Sequence, residues 1–183
     1  MSSLSGRTNS ALLVIDVQVG VVGDAFDRDK IVANMASAVL KARSAGVSII
    51  WVQHSDEGMP IDSADWEIVP ELKLFDGEEI VRKLYRNSFE ATNLEEILSK
   101  LKVGHLYITG AQTNNCVRFT CHGALDRGYD VTLVEDAHTT SDYQWDSGTI
   151  GASVLIDDLN ASMHGMGLPG RTSKITTVKE LFN

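Results

Sequence analysis

The chain has 183 residues, 43% hydrophobic and 22% charged, ordinary proportions for a soluble globular protein that can bury a core without staples. A formal net charge of −9 with no basic stripe argues against nucleic acid as a partner, and no run approaches the ~20 apolar residues of a membrane span. The polar start MSSLSGRTNS lacks the apolar segment of a signal peptide, so residues 1–9 read as a tail on a single cytoplasmic domain covering 1–183. The two cysteines, Cys116 and Cys121, lie five apart on one predicted helix, point to different faces and suit a reducing compartment.

Ala11–Val17 is a nearly continuous apolar run interrupted by Asp16, the pattern of a strand covered on both faces. Asp16 then falls at the carboxyl end of that strand, where open α/β sheets place ligands. Ile31, Met35, Val39 and Ala42 give the segment from Asp27 to Ala45 one apolar stripe, and Gly46 stops that helix. Val47–Gln53 is a second strand, with His54 following at its carboxyl end, so strand, helix and strand form a parallel crossover. The glycines after the first strand lack the G-x-G-x-x-G spacing of a dinucleotide site, and no cofactor is predicted.

Glu57–Gly77 is a long irregular connection of the length that forms lids or binding segments, with Trp66 at its middle as a pocket or interface candidate. Glu78–Lys83 is a short strand whose end carries Lys83. Thr92 with Glu95 has capping-box spacing, and Leu94, Ile97, Leu98 and Leu101 give the following helix its stripe. A buried strand from Gly104 to Gly110 leads into the polar turn Ala111–Asn115, and Cys116 opens a helix that Gly128 ends. A thiol beside free backbone N–H groups at a helix start is favoured as a thiolate. Cys121, on the inner side of that helix, is a packing residue. Tyr129–Val134 is the fifth strand, Asp146–Asn160 a helix anchored by Ile150, Val154 and Leu159, and Lys174–Val178 a last edge strand.

Strand ends that neighbour one another in a parallel sheet converge on one crevice, which joins Asp16, Lys83 and Cys116. A carboxylate to take the thiol proton, an ammonium that stabilises both carboxylate and thiolate, and a thiol expected to lie between those two make a coherent nucleophile. Backbone N–H groups around Gln112 to Cys116 would hold the oxygen that becomes negative on attack at a carbonyl.

ALLVIDVQ with Asp16, RKLYRNSF with Lys83, and ITGAQTNNCVRFTCHGALDRGYDVTLVEDA with Cys116 resemble, in that order, the isochorismatase-like superfamily of cysteine hydrolases, which includes nicotinamidases, N-carbamoylsarcosine amidases and streptothricin hydrolases. The resemblance implies a three-layer α/β/α domain with a doubly wound, six-stranded parallel sheet ordered 3-2-1-4-5-6. It also implies an Asp16–Lys83–Cys116 triad, a cis peptide between Ala111 and Gln112, and a homodimer or higher homo-oligomer. Surface hydrophobics of the Trp66 loop and of His164–Leu168 could be covered in such an oligomer. Where nicotinamidases resemble one another in an Asp-x-His metal pattern, this chain has Val52 and His54, so no metal is predicted and His54 reads as a pocket residue. With the cysteine in place, the resemblance favours hydrolysis of a small non-peptide amide or lactam. Ala111, Gln112, Asn115, His54 and Trp66 are the candidate substrate and oxyanion residues. The alternative from another class is a non-catalytic protein of the same fold that works through its oligomer surface.

Overall fold

A computed structural model describes residues 2–182. In chain order its elements are β1 (Asn9–Ile15), α1 (Val19–Val22), α2 (Arg28–Ser44), β2 (Ser48–His54), β3 (Glu79–Lys83), α3 (Leu94–Lys100), β4 (Val103–Ala111), α4 (Arg118–Asp126) and β5 (Asp130–Thr139). After them come the hairpin of β6 (Tyr143–Trp145) and β7 (Gly148–Ile150), then α5 (Ala152–Met163), β8 (Gly167–Leu168) and β9 (Arg171–Thr176). The main sheet runs β3-β2-β1-β4-β5-β9-β8. All neighbours from β3 to β9 are parallel, which is the expected strand order with β1 inside the sheet. The two-residue β8 pairs antiparallel with β9, so the sheet is mixed at one edge rather than purely parallel.

Side chains alternate across β1. Ala11, Leu13 and Ile15 enter the core packed by Leu94 and Leu98 of α3, Cys121 and Leu125 of α4, and Leu159 of α5. Leu12 and Val14 enter the opposite core, against Val32, Met35 and Val39 of α2. Helices thus cover both faces in three layers, which explains why β1 reads as unbroken apolar sequence.

Several elements differ from the sequence reading. Asp146–Asn160 does not form one helix: Tyr143–Ile150 folds into an antiparallel hairpin, and α5 begins only at Ala152. Ile150 lies in β7 and Val154 is exposed, so neither anchors the helix; Leu159 and Met163 do, four apart on its buried side. Asp142 supplies the start, its carboxylate accepting from the Ala152 N–H at 2.8 Å. The capping box at Thr92 is not made either. Glu95 turns away to Arg7 (2.8 Å) and the Tyr129 hydroxyl (2.8 Å), while Thr92 Oγ1 donates to Ser88 O. The last strand starts three residues earlier than Lys174 and is finished by Thr176, with a short 3-10 turn over Val178–Glu180.

Candidate active site

β1 stops at Ile15, and Asp16 follows in the left-handed region at φ 50°, its N–H donating to Val52 O at 2.9 Å. A glycine makes this geometry possible on the other side. A Cβ on Gly110 (φ 126°) would stand 2.0 Å from Ile15 O, so only glycine lets β4 come this close to the end of β1. Lys83 is the final residue of β3, in register with His54, and its side chain spans the end of β2 toward β1. Lys83 Nζ lies 2.7 Å from Asp16 Oδ2, with both side chains at 1% exposure or less, and donates to Cys116 Sγ at 3.2 Å. Asp16 Oδ1 is buried and has no hydrogen-bond partner among the described residues.

Cys116 is not at the start of a regular helix, as its position suggested. It sits in a wide turn, Thr113–Val117, broken at Asn115 (φ −120°, ψ −107°), and α4 begins at Arg118. The Ala111–Gln112 peptide before that turn is cis. A second layer fixes the turn from beneath. The buried His138 bonds Thr113 Oγ1 through Nδ1 (2.8 Å) and Asn160 Oδ1 through Nε2 (2.9 Å). Because Asn160 Nδ2 donates to Glu135 O (3.2 Å), its Oδ1 is the acceptor, so His138 Nε2 carries the proton and Nδ1 accepts from Thr113. Burial holds the His138 imidazole down at about 4, well below its ordinary 6.5. Thr140 Oγ1 likewise donates to Asn114 Oδ1 at 2.8 Å.

The proton inventory follows from burial and charge. Desolvation raises the Asp16 carboxyl above the usual carboxylate range, with the Lys83 ammonium opposing it. Desolvation, reinforced by the Asp16 charge and opposed by Lys83, pushes the Cys116 thiol up to about 12. The two acids therefore titrate as a pair that keeps one proton beside a fixed cation. A thiolate is reached by passing that proton from Sγ to Asp16, with no change in net charge, rather than by losing it to water.

Above these groups opens a cavity of about 510 Å³. Of the sequence candidates, His54, Gln112 and Asn115 line it with Asp16 and Cys116, and Asn115 Nδ2 donates to Gln112 Oε1 at 3.3 Å. The Asn115 N–H is taken by Gln112 O (3.0 Å), which removes it from the group of oxyanion donors. Ala111 lies wholly in the core on the α2 side and contributes no wall. Trp66 is not a pocket residue: it is 6% exposed, and its carbonyl accepts from Gln18 Nε2 (2.8 Å) and Gln53 Nε2 (3.2 Å). Its ring is buried because the connection folds inward onto Gln18, whose amide also ties the His54 backbone in both directions (2.9 and 2.8 Å).

The sequence reading missed Asp56, Met59, Leu84 and Arg86, which with Gly20 and Val21 complete the wall. Asp56 supplies His54 with an acid two residues on, Oδ2 to Nε2 at 3.2 Å, where only an acid two residues earlier had been sought. Among the described residues no third metal-ligating side chain joins them. Leu84 and Arg86 stand just past Lys83, and position after a strand end was the available signal.

Residues 10–152 match the family model described as the isochorismatase domain. The chain belongs to the isochorismatase family. It is 32% identical over 142 residues to a streptothricin hydrolase of Streptomyces noursei, a match covering 74% of this chain and 56% of that one. It is also 32% identical over 142 residues to a secreted isochorismatase effector of Verticillium dahliae, covering 74% and 75% of the two chains. The crystal structure of an isochorismatase from Pseudomonas putida superposes with a TM-score of 0.83 at 29% identity, over 94% of this chain and 90% of that one. The isochorismatase-family chain thus spans little more than half the length of the streptothricin hydrolase.

Proposed function

We propose that this isochorismatase-family protein hydrolyses a C–N bond, amide or lactam, in a small non-peptide substrate through a thioester on Cys116. The observation that carries the reading is the buried contact of Lys83 Nζ with both Asp16 Oδ2 (2.7 Å) and Cys116 Sγ (3.2 Å) at the floor of an open cavity. Packing alone gives no reason to bury an acid, a lysine and a thiol together, since desolvating charge is costly.

In the first half-reaction Sγ attacks the carbonyl carbon while its proton passes to Asp16, whose Oδ1 has no other partner. Lys83 lies against both partners and balances whichever of the two is the anion. Backbone N–H groups of the turn after the cis peptide stabilise the developing oxyanion, with the side chains of Gln112 and Asn115 beside it. Asp16 then returns the proton to the leaving nitrogen, the C–N bond breaks, and the amine departs. In the second half a water attacks the thioester, gives its proton through Asp16 to Sγ, and releases the acid. The likeness to a streptothricin hydrolase supports a hydrolase that uses the same machinery; the substrate stays at the level of a small amide or lactam.

The reading carries two further parts. The enzyme acts in a reducing compartment, the cytoplasm, consistent with two unpaired cysteines; no helix among the described residues is long and apolar enough to cross a membrane. It works as a homodimer or larger homo-oligomer. The two stretches expected to lie at the interface do not support this, because Trp66 is buried and Met166 and Leu168 pack on their own core. The hairpin does, because Tyr143, Trp145 and Ile150 are all exposed and a two-stranded hairpin is marginal by itself. A sedimentation mass near the 19.9 kDa of one chain at micromolar concentration would count against the oligomer. The chemistry is tested with a panel of small amides and lactams, reading ammonia or amine release and trapping the acyl group on Cys116 by mass spectrometry. Turnover without any acyl adduct, undiminished in Cys116→Ala, would sink it.

A further inference from the structure

The cavity wall has an uneven distribution of charge. Its charged lining residues are Asp16, Asp56 and Arg86. Asp16 is matched by Lys83. Asp56 is engaged by its own loop: Oδ1 accepts from the Gly58 and Met59 N–H groups, both at 2.9 Å, and Oδ2 contacts His54 Nε2. Arg86 has no such engagement. Arg7, Arg28, Arg43 and Arg118 are held by a carboxylate of their own chain and Arg127 and Arg171 by backbone carbonyls, while Arg82, which lies over the Trp66 ring, does not line the cavity. Arg86 has no acid or hydrogen-bond acceptor among the described residues and rests only over the Phe119 ring, 5.7 Å from its centroid.

That contact fixes where the guanidinium stands. Arg86 is three residues beyond Lys83, and Phe119 three residues beyond Cys116, so the stacked pair bridges the two segments that carry the cation and the thiol. The side chain is exposed and its guanidinium carbon lies 5.7 Å from the Phe119 centroid, which leaves the N–H groups open to the cavity and solvent. Five donors in one plane match a carboxylate with two parallel hydrogen bonds, a fit that a lysine does not offer.

We propose that Arg86 is the anion-binding element of this cavity and that the substrate is an amide bearing a carboxylate on the part of the molecule that faces Arg86. This rests on the hydrolase reading for the word amide, but not for the anion site itself. Arg86 binds substrate and transition state alike, so its loss raises KM more than it lowers kcat.

A matched set of alkylating agents tests the site without assuming amide hydrolysis. N-Iodoacetyl-β-alanine, its neutral primary amide and the cationic N-iodoacetyl-ethylenediamine share reactive carbon, leaving group and similar length. Their rates at Cys116 are measured by peptide mass in wild type, Arg86→Lys and Arg86→Gln, at low and high salt. The ratio of acid to neutral reagent should fall roughly 10- to 100-fold in Arg86→Gln, the range of a charged hydrogen bond. Arg86→Lys should restore part of it in a salt-sensitive way. Lys83 attracts the acid equally in all three proteins and so cancels. A ratio unchanged by Arg86→Gln, or fastest labelling by the cationic reagent, overturns the anion site. Amides with and without a carboxylate are then compared as substrates. If the reagent ratio falls but no amide is cleaved, the anion site stands and the hydrolase reading fails. If amides are cleaved without acid preference and the ratio is flat, the reverse holds.

Discussion

Cys116 and Cys121 lie five residues apart, and burial pushes both thiols up to about 12, yet their surroundings have little else in common. Cys121 is completely buried in the core with Leu98, Leu106 and Leu125, and desolvation outweighs the opposing charge of Arg118. Cys116 is half-buried, open to the cavity, and touches a lysine that itself touches an acid. A raised thiol therefore does not distinguish an inert cysteine from a nucleophile. What distinguishes them is an internal acceptor for the proton with a cation to keep the total charge constant. Alkylation shows the contrast directly: Cys116 should react at a rate nearly independent of pH between about 6 and 9, because its reactive form has the same proton count as its resting form. Cys121 should stay silent until the fold opens.

The largest effect expected is from Cys116→Ala, which should lower amide turnover by roughly 10⁴-fold or more with the fold intact, as removal of a covalent nucleophile does. Asp16→Asn should cost about 10²–10⁴-fold in turnover, the usual range for a lost acid–base group. Asparagine is the right probe because it tolerates the positive φ of Asp16. In the same variant alkylation of Cys116 should slow and become pH-dependent, because the internal acceptor for its proton is gone and the thiolate must form by losing that proton to water. Alkylation that keeps the wild-type rate and flat pH profile in Asp16→Asn would show that Asp16 does not serve as the proton acceptor.

Lys83→Met removes the cation from a carboxyl that is 1% exposed, and should destabilise the fold by about 3–5 kcal/mol at neutral pH, read from urea midpoints. It should also slow alkylation of Cys116. A smaller effect comes from below the turn. His138 is neutral when folded, with its pKa depressed from 6.5 to about 4. The stability it contributes is therefore fully present above pH 6.5 and is lost as pH falls toward 4, by at most about 3 kcal/mol. Urea midpoints at pH 7 and 4.5 should diverge more in wild type than in His138→Gln, and equal divergence would remove His138 from this role. Smallest is Cys121→Ala, which should cost about 1 kcal/mol of stability, the scale of one buried methylene, and leave turnover unchanged.

Much of this was legible beforehand, for a local reason. Strands buried on both faces leave long apolar runs, so β1, β2, β4 and β5 could be read from the hydrophobic pattern along the chain and the residues at their ends followed, while their order in the sheet came from the family resemblance. Where a segment's fate depends on a partner far away, the reading failed. Glu95 has the spacing of a cap, but Arg7 and Tyr129, remote in sequence, compete for its carboxylate and win. Ile150 and Val154 have the spacing of a helix stripe, but no core lies opposite them, and Asp142 sets the helix start after the hairpin instead. Trp66 looked like a pocket residue because irregular connections often line pockets; Gln18 and Gln53 draw it inside.

The sequence alone determined that an acid, a lysine and a cysteine occupy three strand ends, because strand ends are set by local hydrophobic pattern and neighbouring parallel strands share an edge. The tertiary structure alone decided which groups meet above that edge. It put Lys83 between Asp16 and Cys116 at hydrogen-bonding distance, moved Cys116 off the helix start into a broken turn, and braced that turn with His138. It also left Arg86 lining the cavity with no acid of its own among the described residues. The physical reason is one of range: backbone periodicity is written within a few residues, whereas charge pairing and desolvation depend on distances in space that no spacing along the chain encodes.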